Sequence, residues 1–145
     1  MGRVKIKFPS ENPLFTCTIP VRISDINYGN HLGNDSVLSI IHEARMQFLA
    51  QRKYTELNAG GNSLIMGDVM IAYKGEAFYG EMLEINIYAE EITERSFDLL
   101  YQITTSRNNA QHPVADAKTG MICFDYKERK ITGMTDELKS LLHSL

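Results

Sequence analysis

Within eleven consecutive positions, Asp25-Ile-Asn-Tyr-Gly-Asn-His-Leu-Gly-Asn-Asp35, the chain gathers two carboxylates, three carboxamides, an imidazole and a phenol. An imidazole titrates close to neutral pH and can bind a carbonyl or move a proton. Carboxamides offer N–H donors to a developing oxyanion, and carboxylates can take a proton from water. The stretch runs directly into a helical pattern, so it delivers these groups to a helix N-terminus, where open N–H groups and the helix dipole favour negative charge. This is the equipment of an oxyanion-stabilising site. Taken singly, Asn27, Asn30 and Asn34 are also ordinary turn formers that bond their own backbone, and His31 alone is as readily structural.

The elements on either side must hold that loop in place. Upstream, Phe15, Cys17 and Ile19 alternate with threonines over residues 15–23, the period-two signature of a half-buried strand, with Pro20 pointing to an edge or a bulge. Residues 3–8 alternate weakly and are expected as a short edge strand. Downstream, Val37, Ile40, Ile41, Ala44 and Phe48 form one apolar helical stripe, widened by Leu38 and Leu49. This helix is expected from about Ser36 to Lys53, with Asn34, Asp35 or Ser36 as its side-chain cap and the Gly60–Gly61 pair as a stop. Residues 64–73, 82–89, 97–105 and 114–126 then read as four strands. The polar links at 74–80, 91–95 and 106–111 suit hairpins in a mostly antiparallel sheet. Thr135 caps a final helix carrying Leu138, Leu141 and Leu142. One long helix against one antiparallel sheet is a two-layer α+β fold, expected over residues 1–145 as a single domain.

Composition narrows the function. A net charge of −3 with mixed signs argues against nucleic acid as the main ligand, which would want a basic stripe. Cys17 and Cys123 lack metal spacing and sit in apolar runs, so they are expected as buried, reduced thiols, and no metal is expected. No apolar run approaches the ~20 residues of a membrane span, and Met1 to Lys7 leads to prolines rather than to the apolar core of a signal peptide, so a cytoplasmic protein is expected. Met66 and Met70 read as core filler, with the wall of an acyl tunnel as the alternative. Lys74, Lys127, Arg129 and Lys130 read as solubilising charges or as partners for phosphates.

The order of elements and the loop residues resemble the hotdog-fold thioesterases, in particular the 4-hydroxybenzoyl-CoA thioesterase type. The usual loop of that branch, Asp-x-x-Gly-His-Val-Asn-Asn, is followed by Glu-x-Ala-Arg on the helix. This chain carries Asn27-Tyr-Gly-Asn-His31-Leu-Gly33-Asn34, then Glu43-Ala-Arg45. Tyr73, the pair Gly80–Glu81 and the run 119–126 complete the resemblance, which covers residues 21–142. It implies a sheet wrapped around a central helix, a homodimer or tetramer with the site at the subunit interface, and hydrolysis of acyl-CoA or acyl-carrier-protein thioesters without a cofactor beyond the CoA of the substrate. Asn27 stands where the branch commonly has its catalytic Asp, Asn30 where it has Gly, and Gly33 where it has the first Asn. The candidate catalytic residues are therefore Asn27 to orient water or donate to the carbonyl, His31 to bind the carbonyl or shuttle a proton, and Asp25 or Glu43 as base. Tyr28, Asn30, Gly33, Asn34 and Tyr73 are the candidate substrate-binding residues. Glu43 and Arg45 also fit a plain solvated helix face. An acyl-thioester hydratase or dehydratase and a non-catalytic acyl-thioester binder are the rival functions.

Overall fold

Along the chain run β1 (Phe15–Pro20), a one-turn 3₁₀ helix (Ile23–Asp25), α1 (Asn34–Ala50), β2 (Leu64–Tyr73), β3 (Met82–Glu90), β4 (Ser96–Arg107), β5 (Ala110–Asp125), β6 (Lys130–Ile131) and α2 (Asp136–His143). The computed structural model describes residues 3–143, so the first two and last two residues of the expected domain lie outside it. The main strands pair antiparallel in the order β1-β3-β4-β5-β2, with β6 a short addition to β5. This is the expected α+β arrangement, with α1 laid against one face of the sheet.

Alternation explains which face it is. Leu83, Ile85 and Ile87 of β3, Leu99, Tyr101 and Ile103 of β4, and Ala115 and Ala117 of β5 are all buried with the α1 stripe Val37, Ile40, Ile41, Ala44 and Phe48. Each fully buried large apolar side chain contributes about 1.5–3 kcal/mol relative to an exposed one. Leu38, expected to widen that stripe, is instead exposed, because it falls on the side of α1 turned from the sheet. Arg45 does not join a solvated face. It is only 4% exposed, its Nη1 donates to the hydroxyl of Tyr101 at 3.2 Å, and its Nε faces Glu56 at 3.5 Å.

Three further expectations change. Residues 3–8 form no strand; they lie as an irregular segment over the outer sheet face, where Phe8 packs on Tyr88 with ring centroids 5.4 Å apart. The helix ends at Ala50, followed by a turn through Lys53, whose φ of 60° leaves the helical region. The glycine pair serves a different purpose: a Cβ on Gly60 would come within 2.9 Å of the Leu138 amide nitrogen, so glycine lets α2 dock there. Thr135 does cap α2, accepting from the Leu138 N–H at 3.2 Å.

The strand links divide in the same way. The β4–β5 link is a two-residue hairpin, Asn108 and Asn109 both having positive φ, the geometry whose twist matches paired strands. Residues 74–80 are not a hairpin, because β2 pairs with β5 and β3 with β1 and β4. The link crosses three strand spacings, roughly 14 Å, well within the reach of seven extended residues, about 23 Å. It thereby passes beneath the loop that precedes α1, where the carbonyl of Ala77 accepts the Leu32 N–H at 2.8 Å.

Candidate functional site

The loop before α1 is a small closed structure. An isolated bridge joins Ile26 to Leu32. The Asn27 N–H donates to the His31 carbonyl at 2.9 Å, the Asn30 N–H to the Asn27 carbonyl at 3.1 Å, and the Gly33 N–H to the Asp25 carbonyl at 2.9 Å. Asn30 takes the left-handed conformation, φ 65°, which asparagine tolerates better than most residues. The chain then enters α1 with Gly33 as N-cap in extended geometry and no side-chain cap bond. None of Asn34, Asp35 and Ser36 caps the helix; the Ser36 N–H is taken by the Gly33 carbonyl at 3.1 Å. The N–H groups of Asn34 and Asp35 stay open among the described residues, as first-turn amides of a helix do.

Two side chains converge over Gly29. A Cβ placed on that glycine would lie 3.3 Å from Asn27 Oδ1 and 3.3 Å from His31 Nε2. Asn27 Oδ1 accepts the Gly29 N–H at 2.8 Å. Only the amide oxygen can accept, so this bond fixes the orientation of the carboxamide and leaves Nδ2 with two unused donors. His31 is oriented likewise: its Nδ1 lies 3.2 Å from the Leu32 carbonyl, which can only accept, so Nδ1 carries a proton. The neutral ring then presents Nε2 as an acceptor, and the protonated ring presents it as a donor, with Glu76 Oε1 at 3.9 Å.

The remaining candidates scatter. Asp25 is buried, but its Oδ2 accepts the Arg22 N–H at 2.9 Å and faces Arg22 Nε at 3.4 Å, so it fastens the turn before the loop. Tyr28 is 103% exposed at the loop tip. Tyr73, at the end of β2, donates to the Asn34 carbonyl at 3.1 Å and so ties the strand to the start of α1. Glu43 lines a separate groove of about 360 Å³ with Thr18, Arg22 and His42, and accepts from Gln47 Nε2 at 2.8 Å. It stands eight residues beyond Asp35, roughly 12 Å of helix rise. The structure thus brings together Asn27, His31, Gly33, Asn34 and Tyr73, with the backbone of Asn30 shaping the turn.

Residues not anticipated as functional also meet here. Glu76 and Ala77 arrive from the 74–80 link, which Arg107 clamps. Its Nε and Nη2 donate to the two Glu81 carboxylate oxygens at 2.7 and 3.0 Å, and Nη2 also donates to the Glu76 carbonyl at 3.0 Å. The guanidinium holds the Glu81 carboxyl below its ordinary range. Nothing in local sequence pairs Arg107 with Glu81. Only the strand order places the β4 end beside the link.

The sequence model of the thioesterase-like superfamily matches residues 21–142. The chain belongs to this superfamily. The match begins just before the loop and runs through every element from the 3₁₀ helix onward, short only of the last residue of α2. No curated protein matches the sequence. Among solved structures, the 1,4-dihydroxy-2-naphthoyl-CoA thioesterase of Synechocystis superposes with a TM-score of 0.79 at 20% identity, covering 90% of this chain and 96% of that one. A Staphylococcus aureus protein in complex with CoA gives 0.78 at 14% identity, covering 93% and 85%. A gentisyl-coenzyme A thioesterase gives 0.72 at 10% identity, covering 88% and 99%. At such identities the likeness is one of fold, and the fold is the hotdog arrangement of these thioesterases. No helix among the described residues is long and apolar enough to cross a membrane.

Proposed function

We propose that the chain hydrolyses acyl-CoA thioesters. The observation that carries this reading is the convergence of the Asn27 carboxamide and the His31 imidazole over Gly29, beside the open amides of α1, in a member of the thioesterase-like superfamily. Asn27 Nδ2 and the N–H groups of Asn34 and Asp35 donate to the carbonyl oxygen as it becomes an oxyanion, which is where fixed donors act most strongly. His31 adds a donor when protonated. Carrier-protein thioesters present the same reacting group and belong in the same test.

The reading includes a homodimer. β2 is an edge strand whose Met66, Val69, Met70 and Tyr73 are all more than a third exposed, which is also why Met66 and Met70 are not core filler. Unpaired apolar edges invite a second strand, and Tyr73 would carry that contact to the helix N-terminus. A second copy there would wall the site with apolar surface for an acyl group.

The test is a thiol-release screen over aliphatic and aromatic acyl-CoAs together with acyl-carrier-protein thioesters, the aromatic arm being chosen because two of the similar structures are thioesterases of aromatic acyl-CoAs. Release of free CoA from at least one class is expected. Folded dimer that releases none from the whole panel would sink the enzyme reading.

A further inference from the structure

We infer that Asp35 supplies the general base of this site. The inference rests on the thioesterase reading above and adds to it the residue that activates water. With His31 Nε2 assigned to the carbonyl oxygen as a donor, and Asn27 unable to take a proton near neutral pH, the base falls to a carboxylate, and the described carboxylates differ sharply in availability. Asp25 is bound by Arg22, and Glu43 lies along the helix in another groove. Glu76 approaches His31 only at 3.9 Å. Asp35 makes no ion pair or side-chain hydrogen bond among the described residues and is solvent-exposed in the single chain, so water reaches it.

Its direction is the decisive observation. A Cβ placed on Gly33 would lie 2.8 Å from Asp35 Oδ1 and 3.5 Å from Asn27 Cβ. The Asp35 carboxylate therefore folds back from the second position of α1 into the space that a side chain at residue 33 would fill, a space that Asn27 Cβ also borders. Two features of the loop fit together on this account. Asn27 provides a donor and no base, while Gly33, with an ordinary extended φ of −74°, leaves room for a base to enter from position 35. An alanine would adopt that backbone easily, so glycine is not required there for conformation; its use is the vacant volume.

In the step that follows, Asp35 takes one proton from a water molecule as the water oxygen bonds to the thioester carbonyl carbon. The carbonyl electron pair moves to oxygen, where Asn27 Nδ2 and the α1 amides receive it. Collapse of the oxyanion breaks the carbon–sulfur bond, and the leaving thiolate takes the proton back from Asp35. The products are the carboxylic acid and the thiol, with the carboxylate restored.

The test is the steady-state kinetics of purified full-length D35N and G33A beside wild type, with the best acyl-CoA of the screen. D35N keeps the size of the side chain and removes the base, so kcat should fall about 10²–10⁴-fold with KM little changed. G33A keeps Asp35 but pushes its carboxylate aside, so kcat should fall at least about tenfold while the melting temperature holds. An unchanged kcat in either variant, or a loss carried by KM alone, overturns the assignment of Asp35 and leaves the thioesterase reading standing. Wild-type protein that releases no thiol from any acyl-CoA defeats that reading, and the assignment falls with it. Should D35N not fold, G33A decides alone.

Discussion

Replacing Asn27 by alanine separates what this residue does for the loop from what it does for the reaction. In the fold, its Oδ1 accepts the Gly29 N–H at 2.8 Å in a half-exposed position. A hydrogen bond of this kind is worth about 0.5–1.5 kcal/mol, and the lower end applies here because water competes for both partners. The backbone bonds from Asn27 to His31, from Asn30 to Asn27 and from Gly33 to Asp25 remain in the variant and keep the loop closed. The expected loss of stability is thus about 1 kcal/mol or less. Against a total of roughly 5–15 kcal/mol, that leaves essentially all molecules folded. In the reaction, the same substitution removes the unused Nδ2 donors. Loss of one oxyanion donor costs about 2.7–4 kcal/mol of barrier, or 10²–10³-fold in kcat. The two readouts therefore part company: a melting curve that hardly moves and a thiol-release rate that collapses. Asn27→Asp sharpens the contrast, since aspartate still accepts from the Gly29 N–H but offers a second acceptor in place of the donor, close to the Asp35 carboxylate. It too should lose at least about tenfold. Wild-type kcat in Asn27→Ala, or a gain of activity in Asn27→Asp, would refute the donor role.

Other consequences can be checked independently. Burial pushes the Cys17 thiol up to about 11, with the nearby Glu43 charge adding to it, and burial does the same for Cys123. At pH 8 about one thiol in a thousand is then ionised, so iodoacetamide should label neither in folded protein and both in denaturant; fast native labelling, read by mass spectrometry, would contradict this. The Glu81 carboxyl is held low by Arg107, so the pair stabilises the fold above the unfolded glutamate value of about 4.3, and that contribution is lost as pH falls through the lower folded value. Between pH 5 and 3 the melting temperature of wild type should therefore fall further than that of Arg107→Ala, and parallel curves would argue against the clamp. Phe48 is 0% exposed and packs on Phe15 with ring centroids 5.9 Å apart, so Phe48→Ala should cost about 3–5 kcal/mol by chemical denaturation. Val69→Glu places a charge on the exposed β2 edge and should leave a folded monomer by light scattering with little activity; a stable dimer would move the expected interface elsewhere.

Much of the fold was legible because periodicity carries it. The stripe Val37, Ile40, Ile41, Ala44 and Phe48 and the alternation of Leu83, Ile85 and Ile87 each record which side of an element meets the core, and both came through unchanged. Pairing partners leave no such record. Residues 74–80 look as polar and as short as a hairpin link, yet they cross the end of the sheet, because which strand lies beside β2 is decided by contacts far apart in sequence. The same holds for Arg45, which an amphipathic count assigns to solvent. The hydroxyl of Tyr101, itself bonded to Thr119 at 2.8 Å, gives the guanidinium a buried partner that no local pattern shows.

The site divides along the same line. Its location was readable, since polar residues with glycine between a strand pattern and a helix pattern mark a loop at a helix start. The role of each carboxylate was not, because a role depends on direction and on competing partners. Asp25 looked available and is spent on Arg22; Glu43, two turns into the helix, lines a groove that holds neither Asn27 nor His31. Asp35 looked like a cap, and it is no cap, because the chain turns into α1 through the Gly33 carbonyl and leaves the Asp35 side chain without that duty. The readable hint was a pair of departures taken together, an amide at position 27 and a missing side chain at position 33. A loop that gives up its carboxylate at one place and opens a vacancy beside it leaves room for another carboxylate to enter, and position 35 is where the helix can send one.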